Sequence, residues 1–98
     1  MGIDELKYKG KVFTNSNQII NLLKSLEFYW LIDSETISAK IEIENNTLIW
    51  HSGRFMSGRW YYGIFKDGHF YGTWENGIWE NGYFDGIWLS GVGNPHKK

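Results

Sequence analysis

The chain has 98 residues, a formal net charge of −1 and no cysteine. This length suits one domain (1–98), and the lack of cysteine excludes disulfides, thiol nucleophiles and thiolate metal sites. The near-neutral charge argues against binding to duplex nucleic acid, because phosphate neutralisation supplies most of that affinity. No apolar run reaches the roughly 18 residues of a transmembrane segment, and the N-terminus lacks a secretory h-region. We therefore expect a cytoplasmic protein.

The N-terminal half of the chain predicts one helix and one hairpin. Ser16 is the expected N-cap of a helix over residues 16–30. Residues 36–50 alternate apolar and polar side chains on both sides of a turn at Asn45-Asn46, as in a half-buried hairpin. The apolar positions of the helix recur at helical spacing and form one stripe: Ile19, Leu22, Leu23, Leu26 and Trp30.

Residues 50–91 form an internal repeat with a ground period of five residues. Asn-Gly and Asp-Gly pairs are strong hairpin signals, so the repeat predicts a multi-stranded antiparallel meander of short strands. A β-solenoid or a closed roll is the alternative. With the helix packed on this sheet, the fold class is α+β, mostly β. The glycines stand at positions 53, 58, 63, 68, 72, 77, 82, 86 and 91, and the two four-residue steps (68–72 and 82–86) predict tightened turns.

Most units carry a Phe or Trp two residues after the preceding Gly. Side chains alternate between the two faces of a strand, so these rings share one face and form an aromatic ladder: Phe55, Trp60, Phe65, Phe70, Trp74, Trp79, Phe84 and Trp88. The opposite face is mixed, and three isoleucines on it indicate partial cover by a partner or a second copy. The predicted helix is shorter than the sheet, which leaves part of the ladder without a lid.

The polar residues of the sequence do not indicate catalysis. His51, His69 and His96 lack the spacing of metal ligands. Glu75 and Glu80 would lie on opposite edges of a meander, too far apart for paired acid–base work. We therefore expect no catalytic residue, no cofactor and no metal site, and we do not expect an enzyme.

Three stretches match the core pattern of MORN repeats, Y/F-x-G-x-W/F-x-x-G: residues 61–68, 70–77 and 84–91. They start at Tyr61, Phe70 and Phe84, which is a closer spacing than that of MORN units. The whole run of residues 50–91 is also similar to the dense G-x-W-x-x-G tracts of bacteriophage proteins. The resemblance implies β-hairpins and an interaction or scaffolding role, sometimes with lipid. One unit, residues 58–68, resembles choline- or glucan-binding repeats, in which aromatics cage a ligand.

The expected function is a non-catalytic protein–protein interaction module. It would be a small phage-type protein that binds and modulates a host protein, or a virion or self-assembling component, in the host cytoplasm or the virion. The alternative is binding of carbohydrate or single-stranded nucleic acid on surface aromatics. Tyr and Arg are frequent interface hot spots, and two units, RWYYG and HFYG, place Tyr where others have a polar turn residue. The candidate partner-binding residues are Arg54, Arg59, Tyr61, Tyr62, His69, Tyr71 and Tyr83.

Overall fold

A computed structural model describes residues 2–95. Its first part contains two helices and four longer strands: β1 (Ile3–Tyr8), β2 (Lys11–Phe13), α1 (Ser16–Ser25), α2 (Tyr29–Ile32), β3 (Glu35–Glu44) and β4 (Thr47–Ser57). Seven two-residue strands follow: β5 (Arg59–Trp60), β6 (Ile64–Phe65), β7 (His69–Phe70), β8 (Thr73–Trp74), β9 (Ile78–Trp79), β10 (Tyr83–Phe84) and β11 (Ile87–Trp88). The predicted class, mostly β with one main helix and short strands, is confirmed, and the sheets are open.

The β3–β4 hairpin connects the N-terminal sheet to the repeat. The two strands are antiparallel, and the turn between them is at Asn45-Asn46, where both residues have positive φ (+50° and +61°). Positive φ at both positions is what a type I′ turn requires. β1 pairs in parallel with β3 and antiparallel with β2. Because β4 continues beyond Trp50 to Ser57, the hairpin itself supplies the first strand positions of the repeat.

The helix predicted over residues 16–30 is divided in two. α1 begins at Ser16, but its N-cap is Asn15, whose side chain accepts a hydrogen bond from the Gln18 amide (3.1 Å). Ser16 is therefore the first helical residue and not the cap. α1 ends at Ser25, and the four-residue helix α2 begins at Tyr29.

A Schellman motif causes this division. The Phe28 amide donates to the Leu23 carbonyl (2.8 Å) and the Glu27 amide donates to the Lys24 carbonyl (3.1 Å), which is the bonding pattern of that motif. Glu27 takes the left-handed position with φ +65°. Leu23 and Phe28 are both fully buried, so the chain leaves the helix in order to place Phe28 in the core.

Replacing Glu27 with glycine is expected to raise the free energy of unfolding by about 0.5–1 kcal/mol. The left-handed conformation is strained for a residue with a Cβ and unstrained for glycine. Urea unfolding followed by tryptophan fluorescence measures the change. As a control, Lys24→Gly, inside α1, should lower the stability by a similar amount because glycine is a poor helix former. A loss of stability in Glu27→Gly would contradict the motif.

The short strands of the repeat pair in parallel with strands three units further along the chain, so that Ile49 pairs with Ile64 and Ile64 pairs with Ile78. The chain therefore winds in coils with three faces. Face 1 contains residues 49–50 of β4 with β6 and β9, face 2 contains residues 54–55 of β4 with β7 and β10, and face 3 contains β5, β8 and β11. Antiparallel pairs within the described strands are limited to β1–β2 and β3–β4. The antiparallel pairing predicted for the repeat is corrected accordingly, and the solenoid alternative describes it.

The corners of the coils explain this correction. At Asn76-Gly77 only the glycine has positive φ (+131°), so the type I′ turn of a hairpin does not form and the chain turns onto the next face. Gly77 stacks on Gly63 of the preceding coil, and a Cβ on Gly77 would lie 2.6 Å from the Gly63 carbonyl oxygen. Each unit is thus one side of a coil and not half of a hairpin, which also differs from the hairpins that the MORN resemblance implies.

The two four-residue steps belong to the same coil geometry. Both contain a strand of face 2, β7 or β10, and end at the corner glycines Gly72 and Gly86. Gly86 stacks on the carbonyl of Gly72, and a Cβ on Gly72 would lie 2.6 Å from the carbonyl oxygen of Gly58. A coil that includes a short step has two five-residue sides and one four-residue side, and its corner glycines still stack on those of the coil before it.

The aromatic residues point into the interior of the coils. Their predicted placement on one side of the strands is confirmed, but they form three stacks, one for each face, in which neighbouring ring centroids are 4.5–5.6 Å apart: Trp50–Phe65–Trp79, Phe55–Phe70–Phe84 and Trp60–Trp74–Trp88. Seven of these nine residues are at most 3% exposed; Trp79 is 6% exposed and Trp88, at the end of its stack, is partly exposed.

The helices cover the beginning of the solenoid. α1 packs against β1 and α2, and α2 packs against β5 in the first coil. Trp30 of α2 meets Trp60 edge to face, with ring centroids 5.4 Å apart. Phe28 and Leu31 are fully buried, so the first coil is closed off from solvent at this end.

Candidate functional site

Four of the seven candidate residues lie together on the outer side of face 2. Arg54, His69 and Tyr83 occupy the same position in successive coils. The His69 ring centroid is 6.3 Å from that of Tyr71 and 5.8 Å from that of Tyr83, and the two tyrosine centroids are 6.1 Å apart. Tyr71, from the irregular unit HFYG, therefore lies beside the column formed by Arg54, His69 and Tyr83.

The other three candidates lie on face 3, beside α2. Arg59 forms an ion pair with Glu75 in the next coil. Tyr61 and Tyr62 contact Trp30, with ring centroids 6.0 and 5.9 Å away, and are 44% and 43% exposed. One part of each tyrosine ring therefore packs against α2, and the other part is exposed to solvent. The seven candidates form two groups on two faces and not one continuous surface.

A shallow cavity lies where face 3 meets α2. Its volume is about 220 Å³, and it is lined by Trp30, Asp33, Ser34, Gly58, Arg59 and Tyr61. The Ser34 hydroxyl donates to the carbonyl of Trp30 (2.6 Å), which ties the wall of the cavity to α2. Two rings and a pair of opposite charges could hold a small polar ligand that has one apolar face.

Two ion pairs on the solenoid join neighbouring coils. Lys66 lies 3.8 Å from Glu80 on face 1, and Glu75 pairs with Arg59 on face 3. The two glutamates therefore face different sides of the molecule, each with its own cation. These pairs are exposed, and such pairs stabilise a fold by about 1 kcal/mol or less.

Residues 2–95 contain no cluster of three or more His, Asp or Glu side chains that could hold a metal ion, and His96 lies outside this range. In the same range, no helix is long and apolar enough to cross a membrane.

An apolar surface near the C-terminal end of the described repeat was not among the candidates. It consists of Ile78, Ile87, Leu89 and Val92, which are 43–67% exposed, and we call it the C-terminal apolar surface. Ile87 and Leu89 lie on face 3, Ile78 and Val92 pair on face 1, and the corner at Gly91 joins them. The partly exposed Trp88 lies between Ile87 and Leu89 in the chain.

Ile78 and Ile87 belong to the three isoleucines that the sequence already places on the outer face; a second signal appears at the coil period. Thr73 and Glu75 hold the positions of Ile87 and Leu89 one coil earlier, so two polar positions become aliphatic in the last coil. The five-residue period hides this change, because it compares residues on different faces.

No family model, no curated protein and no solved structure matches this chain. Its function is therefore inferred from the geometry alone.

Proposed function

We propose that the chain is a non-catalytic protein–protein interaction module that binds its partner through the C-terminal apolar surface. The observation that carries this proposal is the exposure of four aliphatic side chains, from 43% for Ile78 to 67% for Val92, within residues 78–92. Isolated exposed aliphatic residues are ordinary, but contiguous exposed patches commonly mark interaction sites.

The two ends of the solenoid support this proposal by their contrast. Here α2 covers the first coil, whereas the last coil carries Ile87 and Leu89 at positions that are polar one coil earlier. Solvent exposure of these side chains does not stabilise the free chain, and burial against a partner would stabilise a complex by about 25 cal/mol per Å² of apolar area.

The second candidate function is binding of a carbohydrate or a single-stranded nucleic acid. The stacked rings of the repeat are buried, so such a ligand would have to use the exposed tyrosines or the cavity beside Trp30 and Tyr61. Saccharide is favoured of the two, because that cavity pairs aromatic walls with Asp33 and Arg59, while the net charge of −1 opposes binding to phosphates. A host-modulating or virion role would use the C-terminal apolar surface.

The double variant Ile87→Thr with Leu89→Lys is expected to lose protein partners that the original chain captures. Threonine copies residue 73 and a polar side chain copies residue 75, so the coil geometry tolerates both changes. The measurement is quantitative mass spectrometry of proteins captured from an extract of cells that express the chain. Val12→Lys serves as the control, because Val12 is also exposed (55%) but lies on β2, an edge strand of a different sheet from that of Ile87.

Proteins retained by the original chain and by the control, but missing from the double variant, would support the proposal. Identical sets of captured proteins from all three chains would reject the C-terminal apolar surface as the binding site.

A further inference from the structure

We infer that the Asn81-Gly82 corner is a modification site, at which Asn81 deamidates to aspartate or isoaspartate without an enzyme. The reaction needs an asparagine followed by an unhindered residue, and glycine has no Cβ to obstruct it. The sequence holds two Asn-Gly pairs, Asn76-Gly77 and Asn81-Gly82, and glutamate precedes both. The fold places these two pairs in different surroundings. The inference is independent of the binding function proposed above.

The reaction passes through a five-membered succinimide ring. The Gly82 amide nitrogen loses its proton and attacks Cγ of Asn81, so that the N–Cγ bond forms and the Cγ–Nδ2 bond breaks. The leaving nitrogen takes up a proton and departs as ammonia. Water then opens the ring at one of its two carbonyl carbons. Opening on one side gives aspartate, and opening on the other gives isoaspartate, whose main chain runs through Cγ and is one methylene longer.

The Gly82 amide is available as the nucleophile. Within residues 2–95 it donates no hydrogen bond, and the Asn81 side chain makes none. In the other pair, the Gly77 amide donates to Oδ1 of Asn76 (2.8 Å). A hydrogen bond to a carboxamide oxygen lies near the plane of that group, so it must break before the nitrogen can attack Cγ from above the plane. The free amide therefore favours reaction at Asn81.

The Asn81-Gly82 corner also has more freedom to move. Both of its residues are exposed, whereas Gly77 is half-buried. The Gly77 carbonyl accepts from the Val92 amide (2.9 Å), while the Gly82 carbonyl accepts no backbone hydrogen bond within residues 2–95. Ring closure rotates the main chain at the corner, and this rotation costs least where the fewest bonds hold the corner.

The two products differ in how they fit the coil. Asp67 holds the position of Asn81 one coil earlier, because Gly82 stacks on Gly68, and there the Gly68 amide donates to Oδ1 of Asp67 (2.9 Å). Aspartate is thus compatible with this corner. Isoaspartate lengthens the main chain directly before Tyr83, whose amide donates to the Gly68 carbonyl (2.9 Å). This product should therefore loosen the corner.

Peptide mapping by mass spectrometry, after prolonged incubation at neutral pH, tests the site. Cleavage after Glu75 and Glu80 places the two asparagines on separate peptides. In the folded chain, Asn81 should convert about 2- to 10-fold faster than Asn76, the factor that one hydrogen bond contributes. In concentrated guanidinium chloride the two rates should become equal, because both asparagines then lie in an unfolded Glu-Asn-Gly sequence. Equal rates in the folded chain, faster conversion of Asn76, or no conversion at Asn81 would overturn the inference.

Two variants test the product. Methylation by an isoaspartyl methyltransferase should label the incubated chain, and Asn81→Gln should lose most of this label because glutamine does not close a five-membered ring. Asn81→Asp introduces the same charge on a main chain of normal length, so the fresh variant should keep the melting temperature of the original chain. The incubated chain should melt at a lower temperature than both. Undiminished labelling of Asn81→Gln would overturn the assignment to this corner.

Discussion

Gly77→Ala is expected to lower the free energy of unfolding by about 3–5 kcal/mol, a large part of the stability of a domain of this size. Two costs combine at this position. The φ of +131° is a conformation that alanine rarely adopts. The new methyl group would also lie 2.6 Å from the Gly63 carbonyl oxygen and 3.0 Å from Trp60 Nε1, and neither the stacked backbone nor the buried indole has room to move.

Two other glycines separate these costs. A Cβ on Gly10 meets nothing within 4 Å although its φ is +78°, so Gly10→Ala should cost about 1 kcal/mol from backbone strain alone. Gly72 is not in the left-handed region, but a Cβ there would lie 2.6 Å from the Gly58 carbonyl oxygen and 2.8 Å from the Phe55 ring. Gly72→Ala should therefore cost about 1–3 kcal/mol from overpacking.

Urea unfolding followed by tryptophan fluorescence ranks the three variants. The stacked-corner geometry requires Gly77→Ala to be the least stable and Gly10→Ala the most stable. A Gly77→Ala protein within about 1 kcal/mol of the original would mean that the coils do not stack as described.

Trp74→Ala should cost about 3–5 kcal/mol. The indole is fully buried and is sandwiched between Trp60 and Trp88, with interplanar angles of 7° and 6° and centroids 5.1 Å away on both sides. Its edges meet Phe65 and Phe70 from the other two stacks. Truncation thus leaves a cavity that lies between the three stacks and that a coil held at its corners has little freedom to close.

Trp88→Ala is the matched control within the same stack. Trp88 is partly exposed and stacks on Trp74 from one side, so we expect a loss of about 1–2 kcal/mol, smaller because less of the ring is buried. Chemical denaturation of both variants measures the difference. Equal losses, or a loss below about 1 kcal/mol for Trp74→Ala, would contradict the packing of the interior.

The interior of this fold was predictable from the sequence because it depends on alternation alone. A residue two positions after a corner glycine points inward whether the strands pair antiparallel or parallel, so Trp60 and Phe65 are placed correctly by either geometry. The pairing of the strands was not predictable in the same way. Asn-Gly is a local hairpin signal, and it forms no hairpin at Asn76-Gly77 because the glycine alone takes a positive φ.

One coil contains sides of unequal length. For this reason the repeat of about five residues does not reveal the period of the coil. Gly63, Gly77 and Gly91 recur once per coil, and the same spacing relates Gly68 to Gly82. The candidate site depended on this period. Alternation places Arg54, Arg59 and Tyr83 on the outside, but only the coil assigns Arg54 and Tyr83 to face 2 and Arg59 to face 3.

The break in the predicted helix illustrates a different limit. Glu27 is a good helix former, and nothing in its local sequence marks a left-handed residue. The chain leaves the helix there because burial of Phe28 beside Leu23 outweighs the local strain. Tertiary packing decided this boundary, and a stripe of apolar residues at helical spacing could not reveal it.

The tryptophan stack of face 3 has an optical consequence. Three indoles lie nearly parallel at equal spacing, and electronic transitions of rings so arranged couple with one another. Circular dichroism in the far ultraviolet, usually assigned to peptide bonds, will here contain a contribution from the coupled rings. The spectrum of this protein therefore reports an intact column of chromophores as well as its secondary structure, and a strand content calculated from it would be misleading.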